Sequence, residues 1–134
     1  MRKMKKRIYN RLSKDEKERI EKAIKNFFKK QKDIDAYIIF GSFANRSYFR
    51  DIDIAIYAIP KLNFDEQLRL SGIIEMELEI AIDLVQIQDL NPCFRFKILK
   101  NGIPIIKNVF HHYLIAQSYS ECMDFNIAIK KVRK

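Results

Sequence analysis

The chain has 134 residues, of which 48% are hydrophobic and 32% are charged, and its formal net charge at pH 7 is +9. This balance is typical of a soluble globular protein and excludes an intrinsically disordered chain. No apolar run approaches the roughly 18 residues that a membrane-spanning helix needs, and no apolar segment follows the basic start as in a signal peptide. We therefore expect one domain over residues 1–134 that acts in the cytoplasm, without contact with a membrane.

The positive charge is concentrated near the N-terminus. Residues 1–32 contain 14 of the 26 Lys and Arg residues but only 4 of the 17 Asp and Glu residues. We predict a flexible basic segment over residues 1–12. Such a block attracts nucleic acid or an acidic protein surface, although a solvated helix face explains it equally well. No nucleic-acid recognition motif accompanies the lysines, so a nucleic-acid partner is possible but not favoured.

The first predicted elements are a helix and a strand. Ser13 and Glu16 have the spacing of a capping box, which predicts a helix that runs to about Gln31. Asp33, Ile34 and Asp35 predict a surface turn. The apolar run Tyr37–Phe40 then predicts a short buried strand.

This strand stops at Gly41 and Ser42, after which residues 43–47 predict a short helix. The free backbone amides at the start of a helix favour anions. Arg46 and Arg50 are close enough in sequence to reach a bound phosphate, although a surface role is as plausible for each. A simple turn remains the alternative for the Gly-Ser pair.

Two carboxylates open the next predicted strand, which covers residues 52–59. Residues i and i+2 of a strand point to the same face, so Asp51 and Asp53 are predicted to project together. Two like charges so placed repel each other, and a hard divalent cation such as Mg²⁺ offsets that repulsion. The alternative is a solvated strand end without a function.

A third carboxylate lies in a later predicted strand. Asn63 predicts the start of a helix that ends near Leu78, and residues 80–87 predict the strand. Asp83 is the only charge in that strand, and a buried carboxylate is costly unless it has a partner or a function. It could instead cap a turn or pair with an arginine.

The following residues predict a further helix and an edge strand. Asn91 is the predicted cap of this helix, and Gly102 is its predicted end. Arg95 on this helix could orient Asp83 or a substrate. Residues 103–106 predict a short edge strand.

A terminal helix is predicted from Asn108 onward. Cys93 and Cys122 are too few for a disulfide framework, so we expect reduced, buried thiols. His111 and His112 lack the partners of a metal site. Strands that alternate with helices indicate an α/β domain of two or three layers.

Three motifs resemble the DNA polymerase β-type nucleotidyltransferase superfamily. They are Gly41-Ser42-Phe43-Ala44, Asp51-Ile52-Asp53-Ile54-Ala55-Ile56 and Ile82-Asp83-Leu84-Val85. More narrowly, residues 35–130 are similar to the minimal nucleotidyltransferases, single-domain members often encoded beside HEPN-domain toxins. The resemblance implies an α/β (α+β) fold, in which a small mixed β-sheet is packed with helices and a C-terminal helix closes the core.

The resemblance also implies an activity. The expected reaction transfers a nucleoside monophosphate, AMP from ATP, to an acceptor hydroxyl, and a tyrosine of a HEPN-type toxin is the expected acceptor, which would make the chain an antitoxin. Asp51, Asp53 and Asp83 would be catalytic and would bind two Mg²⁺ ions. Gly41, Ser42, Arg46 and Arg50 would bind the phosphates of the nucleotide.

Two departures from the family pattern keep another hypothesis open. The spacer between Ser42 and Asp51 is shorter than usual, and Arg46 and Arg50 stand where the family commonly has glycine and serine. These departures favour a catalytically weak or inactive antitoxin that neutralises a HEPN-type partner by binding it. The presence of all three acids favours the enzyme. An oligomer is possible in either case.

Overall fold

A computed structural model describes residues 9–10, 12–46, 48–105 and 108–132 of the chain. Residues 1–8 and 11 of the predicted flexible segment, and residue 106 of the predicted edge strand, lie outside this part. In chain order the elements are β1 (Tyr9–Asn10), α1 (Lys14–Lys29), β2 (Ile34–Phe40), α2 (Ser42–Asn45), β3 (Tyr48–Phe49), β4 (Ile52–Ala58), α3 (Phe64–Leu78), β5 (Ile82–Gln86), α4 (Pro92–Asn101), β6 (Ile103–Ile105) and α5 (Asn108–Val132).

A mixed sheet of four strands forms the centre of the fold, in the order β5-β4-β2-β6. Strand β4 is parallel to β5 and antiparallel to β2, which in turn pairs antiparallel with β6. Strands β1 and β3 form a separate antiparallel pair. The predicted small mixed sheet is therefore confirmed.

Helices cover both faces of this sheet. Ile54 of β4 belongs to a buried cluster with Ile24 of α1 and with residues of α3. Ile38 of β2 belongs to a second cluster, which contains Leu114 of α5 and residues of α4. Because neighbouring side chains of a strand point to opposite faces, the two clusters lie on opposite sides of the sheet. The domain thus has three layers, with α5 as the predicted closing helix.

The predicted helix starts are confirmed by their caps. The Ser13 hydroxyl accepts a hydrogen bond from the Glu16 amide at 3.1 Å, and the Glu16 carboxylate accepts one from the Ser13 amide at 3.3 Å. Asn63 caps α3 in the same way, and the Asn91 side chain caps α4. These local bonds satisfy amides that a helix leaves without a partner.

Several strand predictions need correction. The turn predicted at Asp33–Asp35 includes only Asp33 of these residues, because β2 already begins at Ile34, which pairs with Ala58. The β3 strand at Tyr48–Phe49 was not predicted. The strand predicted over residues 80–87 covers only Ile82–Gln86, and Ile87–Asp89 form a 3₁₀ turn. The bounds of these strands depend on pairing with residues that are distant in sequence.

The expectation of reduced cysteines is wrong for this structure. Cys93 of α4 and Cys122 of α5 form a disulfide, with their Cα atoms 4.6 Å apart. The two residues are separated by 29 positions, and only the packing of α4 against α5 brings them together.

Candidate active site

Three carboxylates converge at one end of the central sheet. Asp51, Asp53 and Asp83 each offer an oxygen atom, and these three atoms lie within 4.8 Å of one another. Asp51 and Asp53 are half-buried, whereas Asp83 is exposed. The predicted convergence of the three acids is therefore present in the structure.

Strand register positions these acids. Asp53 of β4 is directly opposite Asp83 in the parallel pair with β5, so both side chains point to the same face. Asp51 lies in the bend that immediately precedes β4. The amide of Ile52 donates a hydrogen bond to the Ala81 carbonyl at 2.9 Å, which fixes the start of β4 beside β5.

Side chains of α3 hold the outer edge of β5. The Ile82 amide donates to the Glu75 carboxylate at 3.0 Å, and the Gln67 side chain donates to the Leu84 carbonyl at 2.8 Å. These bonds satisfy backbone groups on both sides of Asp83 that an edge strand leaves without a strand partner. The carboxylate of Asp83 is thus presented by a strand that is fixed on both sides.

The donor set of this cluster suits a hard divalent cation. Mg²⁺ binds carboxylate oxygens and prefers sites that also contribute substrate phosphates. Carboxylates this close also repel one another, and a cation between them offsets the repulsion. The residues present therefore fit the magnesium site that the motif predicts.

Gly41 connects this cluster to the end of β2. Its φ angle is +75°, in the region that favours glycine. A Cβ atom placed at Gly41 would overlap the Asp53 carboxylate, since it would lie 3.0 Å from Asp53 Cγ and closer still to Oδ2. The backbone of Gly41 can pass the acid cluster only because this position has no side chain.

A cavity of about 570 Å³ opens beside Gly41. Three residues predicted to bind phosphate line it: Gly41, Ser42 and Arg46. Arg50, the fourth, is exposed and is not among the lining residues. The Arg46 guanidinium also donates a hydrogen bond to the Tyr48 hydroxyl at 3.1 Å.

The opposite wall of the cavity comes from α4 and was not predicted. It is formed by Phe94, Lys97, Ile98 and Asn101. The last three residues follow Phe94 by three, four and seven positions, so all four lie on one helix face. This periodicity can be recognised in the sequence. The sequence alone does not show that this face is directed towards Gly41.

Arg95 has a different role from the one considered for it. Its Nε atom donates to the Ser118 hydroxyl at 2.8 Å, and its guanidinium forms an ion pair with Glu121. Both partners belong to α5. The hypothesis that Arg95 orients Asp83 is therefore wrong, and the arginine instead fastens α4 to α5.

Comparison with protein families identifies the fold. Residues 22–110 match the family described as polymerase β, nucleotidyltransferase. The chain belongs to this family. The matched range contains the three acids, the Gly41-Ser42 pair and the whole of α4, so the family core and the site coincide.

Solved structures of toxin–antitoxin proteins have the same fold. A chain of a toxin–antitoxin complex with AMP-PNP is similar with a TM-score of 0.72 at 18% identity, over 85% of this chain and 98% of that one. The MntA–HepT toxin–antitoxin gives 0.68 at 16% identity, with coverage of 87% and 99%. The tri-AMPylated Shewanella oneidensis HEPN toxin in complex with MNT antitoxin gives 0.64 at 17% identity, with coverage of 88% and 96%. At these identities the likeness establishes the fold.

Comparison with curated proteins gives no significant match. Within the described residues, no helix combines the length and the apolar character needed to cross a bilayer.

Proposed function

We propose that this nucleotidyltransferase transfers AMP from ATP to a hydroxyl group of a partner protein and releases pyrophosphate. The observation that supports this most directly is the convergence of Asp51, Asp53 and Asp83 within 4.8 Å. The cluster lies against Gly41, which also lines the cavity. A carboxylate cluster beside a cavity with cationic side chains is suited to phosphate chemistry that depends on a divalent metal.

The three carboxylates would hold the metal. Two Mg²⁺ ions bound there would neutralise charge on the triphosphate and on the reacting oxygens. Asp51 and Asp53, which are half-buried, are proposed to fix the ions relative to the backbone. Asp53 lies in β4 and Asp51 immediately before it, so the strand limits the movement of both carboxylates. This would keep the distance between the metal and the nucleotide constant.

The cavity is proposed to hold the nucleotide. Gly41 permits close approach of the backbone to the triphosphate, and Ser42 supplies a hydroxyl donor at the same place. Lys97 and Arg46 add positive charge on opposite walls. Phe94 is 47% exposed at the cavity wall, and its aromatic ring is proposed to stack against the base.

Asp83 is proposed to serve the acceptor. It is the exposed member of the cluster, so a hydroxyl group on a macromolecule can approach it from solvent. A carboxylate there can accept the hydroxyl proton, either directly or by holding a metal that lowers the pKa of the hydroxyl.

A HEPN-type toxin is the proposed partner, and a tyrosine of that toxin is the proposed acceptor. The support is fold similarity to structures described as toxin–antitoxin complexes, one of which contains an AMPylated HEPN toxin. Tyr119, Met123 and Ile127 of α5 are exposed at intervals of four residues, which forms an apolar row that a partner can cover. We expect this antitoxin to act in the cytoplasm.

Neutralisation of the partner by binding alone is the second candidate. The contact between Arg46 and Tyr48 favours it, because this contact engages a side chain expected to bind phosphate. The two candidates differ in whether ATP and Mg²⁺ bind together at the acid cluster.

Thermal unfolding with both ligands distinguishes them. ATP with Mg²⁺ should stabilise the protein far more than either ligand alone, by about 2.7 kcal/mol at 100 times the dissociation constant. The double variant Asp51→Asn/Asp53→Asn should lose this gain. Asp35→Asn, which changes an exposed acid of β2 away from the cluster, should retain it. Equal effects of the separate and combined ligands on the wild type would contradict the proposal.

A further inference from the structure

Lys17 of α1 contacts the segment that follows Gly41. Its ammonium group donates hydrogen bonds to the carbonyl of Phe43 at 2.8 Å and to the carbonyl of Arg46 at 3.0 Å. The same group lies 5.3 Å from the centre of the Phe43 ring. One lysine thus binds both the middle and the end of the short α2 helix.

This helix needs support from outside. It contains four residues, and an isolated helix of one turn is not stable in water. Its internal bonds include those from the Asn45 amide to the Gly41 carbonyl at 3.1 Å and from the Arg46 amide to the Ser42 carbonyl at 2.8 Å. Carbonyls at the end of a helix lack partners within it, and a cation there is favoured. Lys17 supplies both a hydrogen-bond donor for these carbonyls and a positive charge at this end of the helix.

The N-terminal strand β1 supports the same region through β3. Backbone pairing joins Tyr9 to Phe49 and Asn10 to Tyr48. Phe49 is buried against Phe43, with ring centres 4.9 Å apart. The α2 helix and the β3 strand are therefore held by two elements that precede them in sequence.

We propose that Lys17 is a positioning residue for nucleotide binding. It fixes the segment from Gly41 to Arg46, so that Ser42 and Arg46 meet the nucleotide in one arrangement. This inference rests on the proposed function, since it concerns the same cavity. Lys17 and β1 both precede residue 22, where the family match begins, so this support is an addition to the matched core.

Hydrogen exchange tests the contact without any nucleotide. Lys17→Met removes the ammonium group but keeps an unbranched side chain against Phe43. Lys22→Met is the matched control, because Lys22 is exposed on the same helix and the change in charge is identical. We expect the Asn45 and Arg46 amides to exchange about tenfold faster in Lys17→Met alone, since hydrogen bonds to charged groups are among the stronger ones. Equal exchange in the two variants would overturn the proposal.

Calorimetric titration with ATP and Mg²⁺ tests the consequence for binding. Lys17→Met should weaken ATP binding about tenfold or more, while Lys17→Arg, which keeps a cation, should bind within about threefold of the wild type. Exchange of the β4 amides should stay unchanged, which separates a positioning effect from general destabilisation. If the wild type binds no ATP, the proposed function fails. If the wild type and Lys17→Met bind ATP equally well, the positioning role alone fails.

Discussion

Gly41 lies so close to the carboxylate of Asp53 that no side chain fits between them. The end of β2 and the acidic start of β4 are therefore packed as one unit. Strand register explains this proximity, because Phe40 is directly opposite Asp53. Any change at Gly41 acts on the acid cluster as well as on the cavity.

Gly41→Ala should abolish ATP binding that depends on Mg²⁺. The new methyl group would displace the Asp53 carboxylate, and the positive φ angle would add strain to the backbone. Gly72→Ala is the matched control, because Gly72 lies inside α3, where alanine favours the helix by up to about 1 kcal/mol. Calorimetry with ATP and Mg²⁺ measures the effect. Wild-type affinity in Gly41→Ala would show that Asp53 does not bind the metal.

Asp83→Asn should separate nucleotide binding from transfer. Asp51 and Asp53 remain to hold metal and nucleotide, but the exposed group proposed to accept the hydroxyl proton is lost. General-base contributions are about 10²–10⁴-fold, so the single-turnover transfer rate should fall by at least that much while ATP still binds. The exposed position and the isosteric change should leave the melting temperature without divalent cations unchanged or slightly higher. A normal transfer rate would remove Asp83 from the mechanism.

Lys97→Met should weaken ATP binding about tenfold or more, because the cavity loses a cation that can bind phosphate. The stabilisation by Mg²⁺ alone should persist, since the acid cluster is intact. Lys100→Met is the control on the same helix, because Lys100 lies over the Phe96 ring and not at the cavity. If both variants bind ATP equally well, the nucleotide does not use the α4 wall.

Protonation of His111 should lower the free energy of unfolding in mild acid. Burial lowers the pKa of His111, and the neighbouring His112 lowers it further. Its Nδ1 atom is buried and has no hydrogen-bond partner within the described residues. The unfolded chain therefore binds more protons than the folded one just below the usual pKa of about 6.5, so the free energy of unfolding falls as the pH drops through that range.

Denaturant unfolding of His111→Gln at about pH 7.5 and about pH 5.5 measures this effect. The variant should lose less stability than the wild type on acidification. His112→Gln should have a smaller effect, because His112 is exposed and only repels the His111 charge. An equal pH dependence in the wild type and His111→Gln would show that other groups determine it.

Local features of the sequence predicted much of the fold. Both capping boxes and the Asn91 cap depend on residues within four positions, so a short window contains all the information. Asp53 and Asp83 were recognisable because each interrupts an apolar run. These two acids form one cluster because their strands, β4 and β5, are neighbours in the sheet.

Features that depend on distant partners were not predictable in this way. Strands β1 and β3 have two residues each, too few to show an alternating pattern. The sequence allowed Arg95 to interact with Asp83, but in the structure Arg95 binds Ser118 and Glu121 of α5. The contact of Lys17 with α2 spans 26 positions to Phe43, and lysines are common throughout that basic region. In each case tertiary packing selected one partner among several that the sequence allowed.

The position of the label in ATP tests directly whether the site transfers AMP to a partner protein. The protein, Mg²⁺ and a HEPN-type partner protein from the same genome are incubated with ATP labelled on either its α- or its γ-phosphate. Only the α label should become attached to the partner protein. Asp51→Asn/Asp53→Asn should attach none, and Asp35→Asn should attach it as the wild type does. A stable complex with neither label attached, or attachment of the γ label, would contradict nucleotide transfer by this site.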